Sequence, residues 1–216
     1  MKNATKCFQA AEILLPNFSA VDGTRWAALA CDQYTSEPIY WENAAALVGD
    51  APSTLNMILP EVYLGESEQR IPRIHAAMDA LLKSHLVSHP DAMICLRRTQ
   101  SDGKVRSGLI GAVDLEQYDY TRGSASLIRA TEGTVLERIP PRVKIRRNAP
   151  LELPHVMLLA DDKENVLFAT LHENKDTFEK VYDFDLMMGG GHITGYLIDE
   201  ESKKGIEEGL QELCGN

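Results

Sequence analysis

The sequence predicts a mixed α/β fold in which a partly antiparallel sheet is flanked by helices. Strand-like and helix-like stretches alternate along its 216 residues. The apolar stretches 93–98 and 107–113 flank a turn that contains Asp102-Gly103, a dipeptide typical of hairpins. Because a hairpin joins antiparallel strands, at least part of the sheet is expected to be antiparallel.

The N-terminal third predicts two strands and a helix. Short apolar runs at 13–15 and 26–31 are bounded by turn residues, which favours strands. Pro38 then suits the first turn of a helix over 39–47, and Gly49 suits its end. Residues 54–59 predict either another strand or the entry to the next helix.

The clearest helix is predicted over about 70–85. Five apolar residues recur there at spacings of three and four and share one face, which we expect to pack on a sheet. Pro72 is expected in the first turn of this helix. The residues of the apolar face are Ile71, Ile74, Met78, Leu81 and Leu82.

The C-terminal third predicts a strand at 155–159, a helix within 163–178 and an amphipathic helix over about the last ten residues. No repeat, low-complexity run or linker divides the chain. We therefore expect residues 1–216 to form a single domain or lobe.

Composition excludes several classes of function. The net charge is −10, with 22 basic against 32 acidic residues, which disfavours binding to nucleic acid and to anionic membranes. The four cysteines form no CxxC pair, so we expect reduced thiols in a cytoplasmic protein. No segment has the length and hydropathy of a signal peptide or a membrane span.

The segment 129–147 reverses the charge of the chain, since it holds six basic and two acidic residues. A guanidinium matches a phosphate or carboxylate with two parallel hydrogen bonds, so the segment predicts a site for a small anionic ligand. The alternative is that its arginines pair with surplus carboxylates on the surface. The basic residues are Arg129, Arg138, Arg142, Lys144, Arg146 and Arg147.

Two further expectations concern the same segment. Pro140-Pro141 should separate the stretches 129–137 and 142–147 into different elements. Glu132, beside these arginines, should stay ionised, and can act as a general base or ligate magnesium.

The glycine-rich segment 187–195 has two interpretations. Its consecutive glycines, Gly190 among them, can bring backbone amides close to an anion, and His192 and Thr194 can face a pocket. The favoured alternative is a hairpin turn between strands near 183–187 and 196–198. Neither GxGxxG nor GxxxxGK[ST] is present.

Asp32 follows the apolar run 26–31, and ligands of α/β proteins often bind at strand ends. Asp32 can serve as a hydrogen-bond acceptor or metal ligand, or equally as a helix cap or turn residue. We expect Asp32 and the segment 129–147 to line one cleft.

Segments 31–64 and 181–199 resemble the bacterial domain of unknown function 1015 family, in its variant with an EPIYW sequence. Arg129, Glu132, Thr134 and Arg142 match a conserved-looking stretch of that family, although Ala130-Thr131 replaces its histidine and Pro141 its aspartate. The resemblance implies that this chain is the N-terminal half of a longer protein. The missing half would carry an Asp-Gly-Asn-His or Asp-Gly-His-His motif, similar to that of ParB/sulfiredoxin-like nucleotide-binding proteins, which include kinases of free serine.

The resemblance and the basic segment together suggest a small-molecule phosphotransferase, similar to a free amino-acid kinase, that uses a nucleotide and magnesium and is incomplete in this chain. The alternative is a non-catalytic domain that binds an anionic metabolite or a protein. A lobe without its partner exposes apolar surface, so we also expect a homodimer whose contact includes Met187, Met188 or Leu213.

Overall fold

The computed structural model describes residues 7–130, 133, 135–153, 155–164, 169, 171 and 177–215, with the backbone alone for 211–215. Its helices are α1 (Gly23–Trp26), α2 (Pro38–Val48), α3 (Ser67–Ser84), α4 (Ile139–Arg146) and α5 (Glu200–Gly215). Short 3₁₀ turns occur at Thr54–Met57, Glu61–Glu66, Leu115–Gln117, Leu136–Arg138 and Met187–Gly189.

The strands are β1 (Phe8–Gln9), β2 (Ala11–Pro16), β3 (Leu86–Ala92), β4 (Ile94–Thr99), β5 (Val105–Ile110), β6 (Ala112–Val113), β7 (Tyr118–Asp119), β8 (Ile128–Arg129), β9 (Glu179–Asp185) and β10 (His192–Leu197). The predicted mixed α/β class is confirmed.

The main sheet has four strands in the order β5-β4-β10-β9, and every pairing in it is antiparallel. The predicted hairpin around Asp102-Gly103 joins β4 to β5, with Arg98 opposite Arg106. Two further antiparallel pairs, β1–β6 and β2–β3, lie beside this sheet, and β7 pairs with β8 in parallel. The strand predicted at 13–15 is therefore confirmed as part of β2.

Helix α2 agrees with its prediction. Pro38 occupies its first turn, and it ends at Gly49, whose φ of 55° suits a residue without a side chain. Residues 54–59 contain a 3₁₀ turn, which is nearer to the predicted entry to a helix than to the predicted strand.

Helix α3 begins before its predicted start, so Pro72 lies inside the helix and not in its first turn. The added first turn is stabilised by Arg70, whose Nε donates to Glu66 at 2.8 Å while its guanidinium lies 4.0 Å from the Tyr63 ring centroid. Apolar periodicity could not predict this turn, because its contacts are polar and aromatic.

The apolar face of α3 packs on irregular structure and not chiefly on a sheet. Ile71, Ile74, Met78 and Leu81 are buried, as predicted, whereas Leu82 is only half-buried. Their partners come from α1 and the chain just before it, from the 3₁₀ turn at Thr54–Met57 and the chain just after it, from α4 and the chain after it, and from the start of β3. These partners include Val21, Trp26, Met57, Leu59, Leu86, Ile145, Ala149, Leu151 and Leu153.

Two predicted strands are wrong. The segment 26–31 forms no strand, because Trp26 ends α1 and its carbonyl accepts hydrogen bonds from the hydroxyls of Ser53 and Thr54. The segment 155–159 forms no strand, and its apolar side chains are mostly exposed. Most of 163–178 lies outside the described residues, and α5 is longer than the predicted C-terminal helix.

Candidate functional site

Asp32 lies on a tight turn that is held in place from several sides. Gln33 N donates to Ala30 O at 3.0 Å, and the Tyr34 carbonyl accepts from Glu37 N at 3.1 Å and Trp41 Nε1 at 3.3 Å. Tyr34 has a φ of 50°, which is uncommon for a bulky residue and requires such support. Its ring stacks on Tyr40 with 4.0 Å between centroids. Asp32 is thus presented by a rigid turn.

Glu61 is brought beside this turn by a backbone hydrogen bond. Its N–H donates to the carbonyl of Cys31, thirty positions earlier in the chain, at 2.8 Å. The Glu61 side chain is only 11% exposed. Two carboxylates from distant parts of the chain therefore lie close together.

Helix α4 supplies the opposite charge. Pro140 and Pro141 occupy its first turn, where a missing N–H leaves no intrahelical bond unmade. The predicted separation is observed, since Arg138 belongs to the preceding 3₁₀ turn and Arg142 to the helix. Both residues are backbone-helical and four positions apart, so they project from the same side.

Arg138 and Arg142 reach the two carboxylates. Arg142 Nη2 donates to Glu61 Oε1 at 3.1 Å and lies 3.8 Å from Asp32 Oδ2. Arg138 Nη1 lies 3.7 Å from Glu61 Oε2. Each guanidinium side chain remains nearly half exposed, at 48% for Arg138 and 46% for Arg142. We refer to Asp32, Glu61, Arg138 and Arg142 as the Arg142 cluster.

The thiol of Cys31 adjoins the Arg142 cluster. Burial raises the pKa of this thiol, and the negative charge of Asp32 raises it further, while Arg142 acts in the opposite direction. Cys31 is therefore a protonated thiol at neutral pH and not an activated nucleophile.

Two other basic residues of the segment also have acidic partners. Lys144 pairs with Glu68 of α3, and Arg146 Nη2 lies 2.9 Å from Glu152 Oε1. His75 Nε2 of α3 lies 2.7 Å from the carbonyl of Ile145. Pairing with surface carboxylates, one of the two sequence interpretations, thus accounts for part of the charge and fixes α4 on α3.

The remaining predicted site residues of this segment lie apart from these contacts or outside the described residues. Arg129 is an exposed residue of β8, which pairs with β7. Glu132 and Thr134 lie outside the described residues, so their proposed roles stay predictions.

The glycine-rich segment forms the hairpin turn between β9 and β10. Leu186 N donates to Gly191 O at 2.7 Å, and Gly190 N to Met187 O at 3.1 Å. Gly191 has a φ of 93°, and a Cβ there would lie 2.1 Å from the carbonyl oxygen of Thr99. The Gly190 carbonyl accepts from Arg98 Nη2 at 3.0 Å. The turn thus uses the amide of Gly190 internally.

Met187, one of three residues named as alternatives for an exposed apolar contact, is buried. Its side chain is 2% exposed and packs with Ala44 and Val48 of α2, because the turn folds back onto that helix. Met188 is partly exposed, and the side chain of Leu213 lies outside the described residues.

His192 forms a separate charged group on the same hairpin. Its Nε2 lies 2.6 Å from Asp183 Oδ1 and its Nδ1 lies 2.7 Å from Asp185 Oδ1. Carboxylates only accept hydrogen bonds, so both ring nitrogens donate when the imidazole is protonated. Hydrogen bonding to Asp185, and then to Asp183, raises the pKa of His192. Asp183 also pairs with Lys180.

The structure brings Asp32 and Arg142 within 3.8 Å of each other and joins Arg138 to Arg142 through Glu61. That Asp32 and the segment 129–147 line one cleft stays a prediction. The structure does not bring Gly190 or His192 into contact with these residues. Glu61, which contacts both arginines, was missed. A single glutamate after a proline carries no sequence signal, because its role depends on the backbone bond to Cys31.

Among the described residues, no three His, Cys, Asp or Glu side chains are grouped so that they could hold a metal ion. In the same part of the chain, no helix combines the length and hydropathy needed to cross a membrane.

Comparison with protein families gives one match, to the model described as "Protein of unknown function (DUF1015)", over residues 15–213. Neither the curated proteins nor the solved structures include a match to this chain. The family model covers every residue of the Arg142 cluster and of the β9–β10 hairpin.

Proposed function

The chain belongs to the DUF1015 family, whose description names no activity, and we propose from its own residues that it binds a small anionic metabolite at the Arg142 cluster. The observation that carries this proposal is the pair of half-exposed guanidiniums, Arg138 and Arg142, which meet at Glu61 on a rigid support. Two arginines held on one side of a short helix can receive a phosphate or carboxylate from solvent.

Because other residues already hold the two arginines in place, a ligand binds them at a lower cost in conformational entropy. A flexible arginine loses rotamer freedom when it binds a ligand, which costs about 0.5–1.5 kcal/mol for each side chain. Glu61 already restrains both guanidiniums, and its own backbone is fixed to Cys31. Each arginine has five N–H donors, and its contacts with Glu61 and Asp32 require only some of them.

A second proposal, which goes beyond the binding of an anionic metabolite, is that the family catalyses phosphoryl transfer. The arginine pair suits a phosphate as well as a carboxylate, and the resemblance of the family to nucleotide-binding proteins favours this reaction. Glu132 remains the proposed base, and the nucleotide and magnesium remain proposed cofactors. We assign no reaction step to the Arg142 cluster, because burial and Asp32 keep the adjoining Cys31 thiol protonated.

The test is a binding measurement with three anionic probes: inorganic phosphate, citrate and 3-aminopropylphosphonate, titrated into labelled protein and followed by NMR. We expect at least one probe to bind the wild type, and Arg142→Gln to weaken that binding by about tenfold or more. Arg142→Lys should also weaken it, because lysine keeps the charge but lacks the planar fork.

Arg106→Gln is the matched control, since Arg106 is an exposed arginine of β5 and its loss changes the net charge equally. Binding should be unchanged in this variant. The proposal is wrong if none of the three probes binds the wild type, or if Arg106→Gln and Arg142→Gln weaken binding to the same extent.

A further inference from the structure

We infer that the metabolite carries an amine as well as its anionic group, that is, that the Arg142 cluster recognises a small zwitterionic molecule with a phosphate or carboxylate at one end. This inference rests on the proposed function and specifies its ligand. It follows from the charges of the cluster: two guanidiniums and two carboxylates lie in one network and carry no net formal charge.

A ligand with negative charge alone fits this network poorly. The guanidinium of Arg142, whose remaining N–H groups would receive the anion, has its Nη2 3.1 Å from Glu61 Oε1 and 3.8 Å from Asp32 Oδ2. An anion that approaches this guanidinium therefore also approaches two carboxylates. Repulsion between like charges at such short range offsets much of the attraction to arginine.

The two carboxylates differ in a way that assigns them different roles. Glu61 is largely buried, contacts both arginines and accepts a hydrogen bond from Arg142, so it positions the guanidiniums. Asp32 is 42% exposed, and its 3.8 Å separation from Arg142 is too long for a hydrogen bond. Asp32 can therefore accept hydrogen bonds from a ligand without breaking one to the protein.

A ligand amine bound to Asp32 would remove the repulsion that an anion alone meets. The ammonium group would neutralise Asp32, and the anionic group would contact Arg138 and Arg142 on the other side of the network. The rigid turn that carries Asp32, fixed through Tyr34 and Trp41, keeps this acceptor at a constant distance from the arginines. The cluster then selects ligands by the spacing of their two charges.

The experiment uses three probes with the same propyl chain: propylphosphonate, propylammonium and 3-aminopropylphosphonate, titrated by NMR into wild-type protein and the Asp32→Asn variant. In the wild type we expect 3-aminopropylphosphonate to bind about tenfold or more tightly than propylphosphonate. In Asp32→Asn the two phosphonates should bind almost equally. 3-Aminopropylphosphonate loses the carboxylate that binds its amine, and propylphosphonate no longer meets the negative charge that repels it.

The outcomes separate this inference from the proposed function. Equal binding of the two phosphonates to the wild type, or an unchanged preference in Asp32→Asn, overturns the zwitterion while binding to Arg142 still stands. Tightest binding by propylammonium overturns it as well. Absence of binding by both phosphonates overturns the inference. Absence of binding by phosphate and citrate as well, or full binding after Arg142→Gln, overturns the proposed function with it.

Discussion

At the scale of single residues, the chemistry of this protein depends on how each charge is partnered. Glu61 and Asp32 both face Arg142, yet one is mostly buried and bonded while the other is exposed and at a longer distance. His192 lies between two aspartates on another part of the surface. Under the proposed function, we expect the first group to respond to ligand and the second to pH.

The contacts of His192 predict that the stability of the folded protein depends on pH. Its pKa in the folded protein is raised above 6.5, so its stabilising effect is complete below that value and is lost as pH rises through the folded pKa. Pairing with Lys180, and then with His192, lowers the pKa of Asp183 below 3.8, so that contribution is lost only as pH falls through the lowered value. NMR titration of the His192 ring should give a pKa above 6.5, and Asp185→Asn should lower it. An unshifted titration would contradict the geometry.

Gly191 gives a second test at this scale. Gly191→Ala must place a methyl group against the Thr99 carbonyl at a φ of 93°, and should lower the free energy of unfolding by about 2 kcal/mol or more. Gly108→Ala on β5 is the control, because a Cβ there meets no atom within 4 Å. Denaturant unfolding of both variants measures the difference, and equal effects would count against the turn.

At the scale of elements, local patterns predicted some structures well and others not at all. The β4–β5 hairpin and helix α2 were predicted because their turn and cap residues act on neighbouring positions. The segments 26–31 and 155–159 have apolar composition, but a strand also needs a partner strand. Composition does not supply one, and the hydroxyls of Ser53 and Thr54 bond to Trp26 instead.

Helix α3 is the element on which the largest described core depends. Leu81→Ala should lower the free energy of unfolding by about 2–5 kcal/mol, because the leucine is buried in a cluster with Trp26 and Met57. Leu82→Ala, one position further and only half-buried, should cost less. Thermal or denaturant unfolding gives both values. If Leu81→Ala lowers the free energy of unfolding less than Leu82→Ala does, Leu81 does not belong to the buried face of α3.

At the scale of the whole molecule, the basic segment joins parts of the chain that are far apart in sequence. Arg142 pairs with Glu61 across 81 positions, and Lys144 with Glu68 across 76. The excess of arginine in 129–147 predicted a charged site, but not which carboxylates would enter it. That pairing depends on the backbone bond from Glu61 to Cys31 and on the packing of α4 against α3, neither of which leaves a pattern in the sequence.

Glu61 should therefore contribute more to the free energy of unfolding than the other acidic partners of α4. Glu61→Gln leaves two neighbouring guanidiniums without their shared counterion and should cost about 1–3 kcal/mol in the free energy of unfolding. Glu68→Gln removes the partner of Lys144 at a carboxylate that is 81% exposed, and should cost no more than about 1 kcal/mol. Chemical denaturation distinguishes the two. Equal costs would mean that Glu61 does not hold the cluster together.

The most direct test of the central claim is to observe the side chains of Arg138 and Arg142 as ligand is added. In isotopically labelled protein, the Nε–H resonances of both arginines should shift together with one dissociation constant during a titration with 3-aminopropylphosphonate. The resonance of Arg106 should stay unchanged. Shifts that are absent from Arg138 and Arg142, or equally large at Arg106, would contradict a ligand site at the Arg142 cluster.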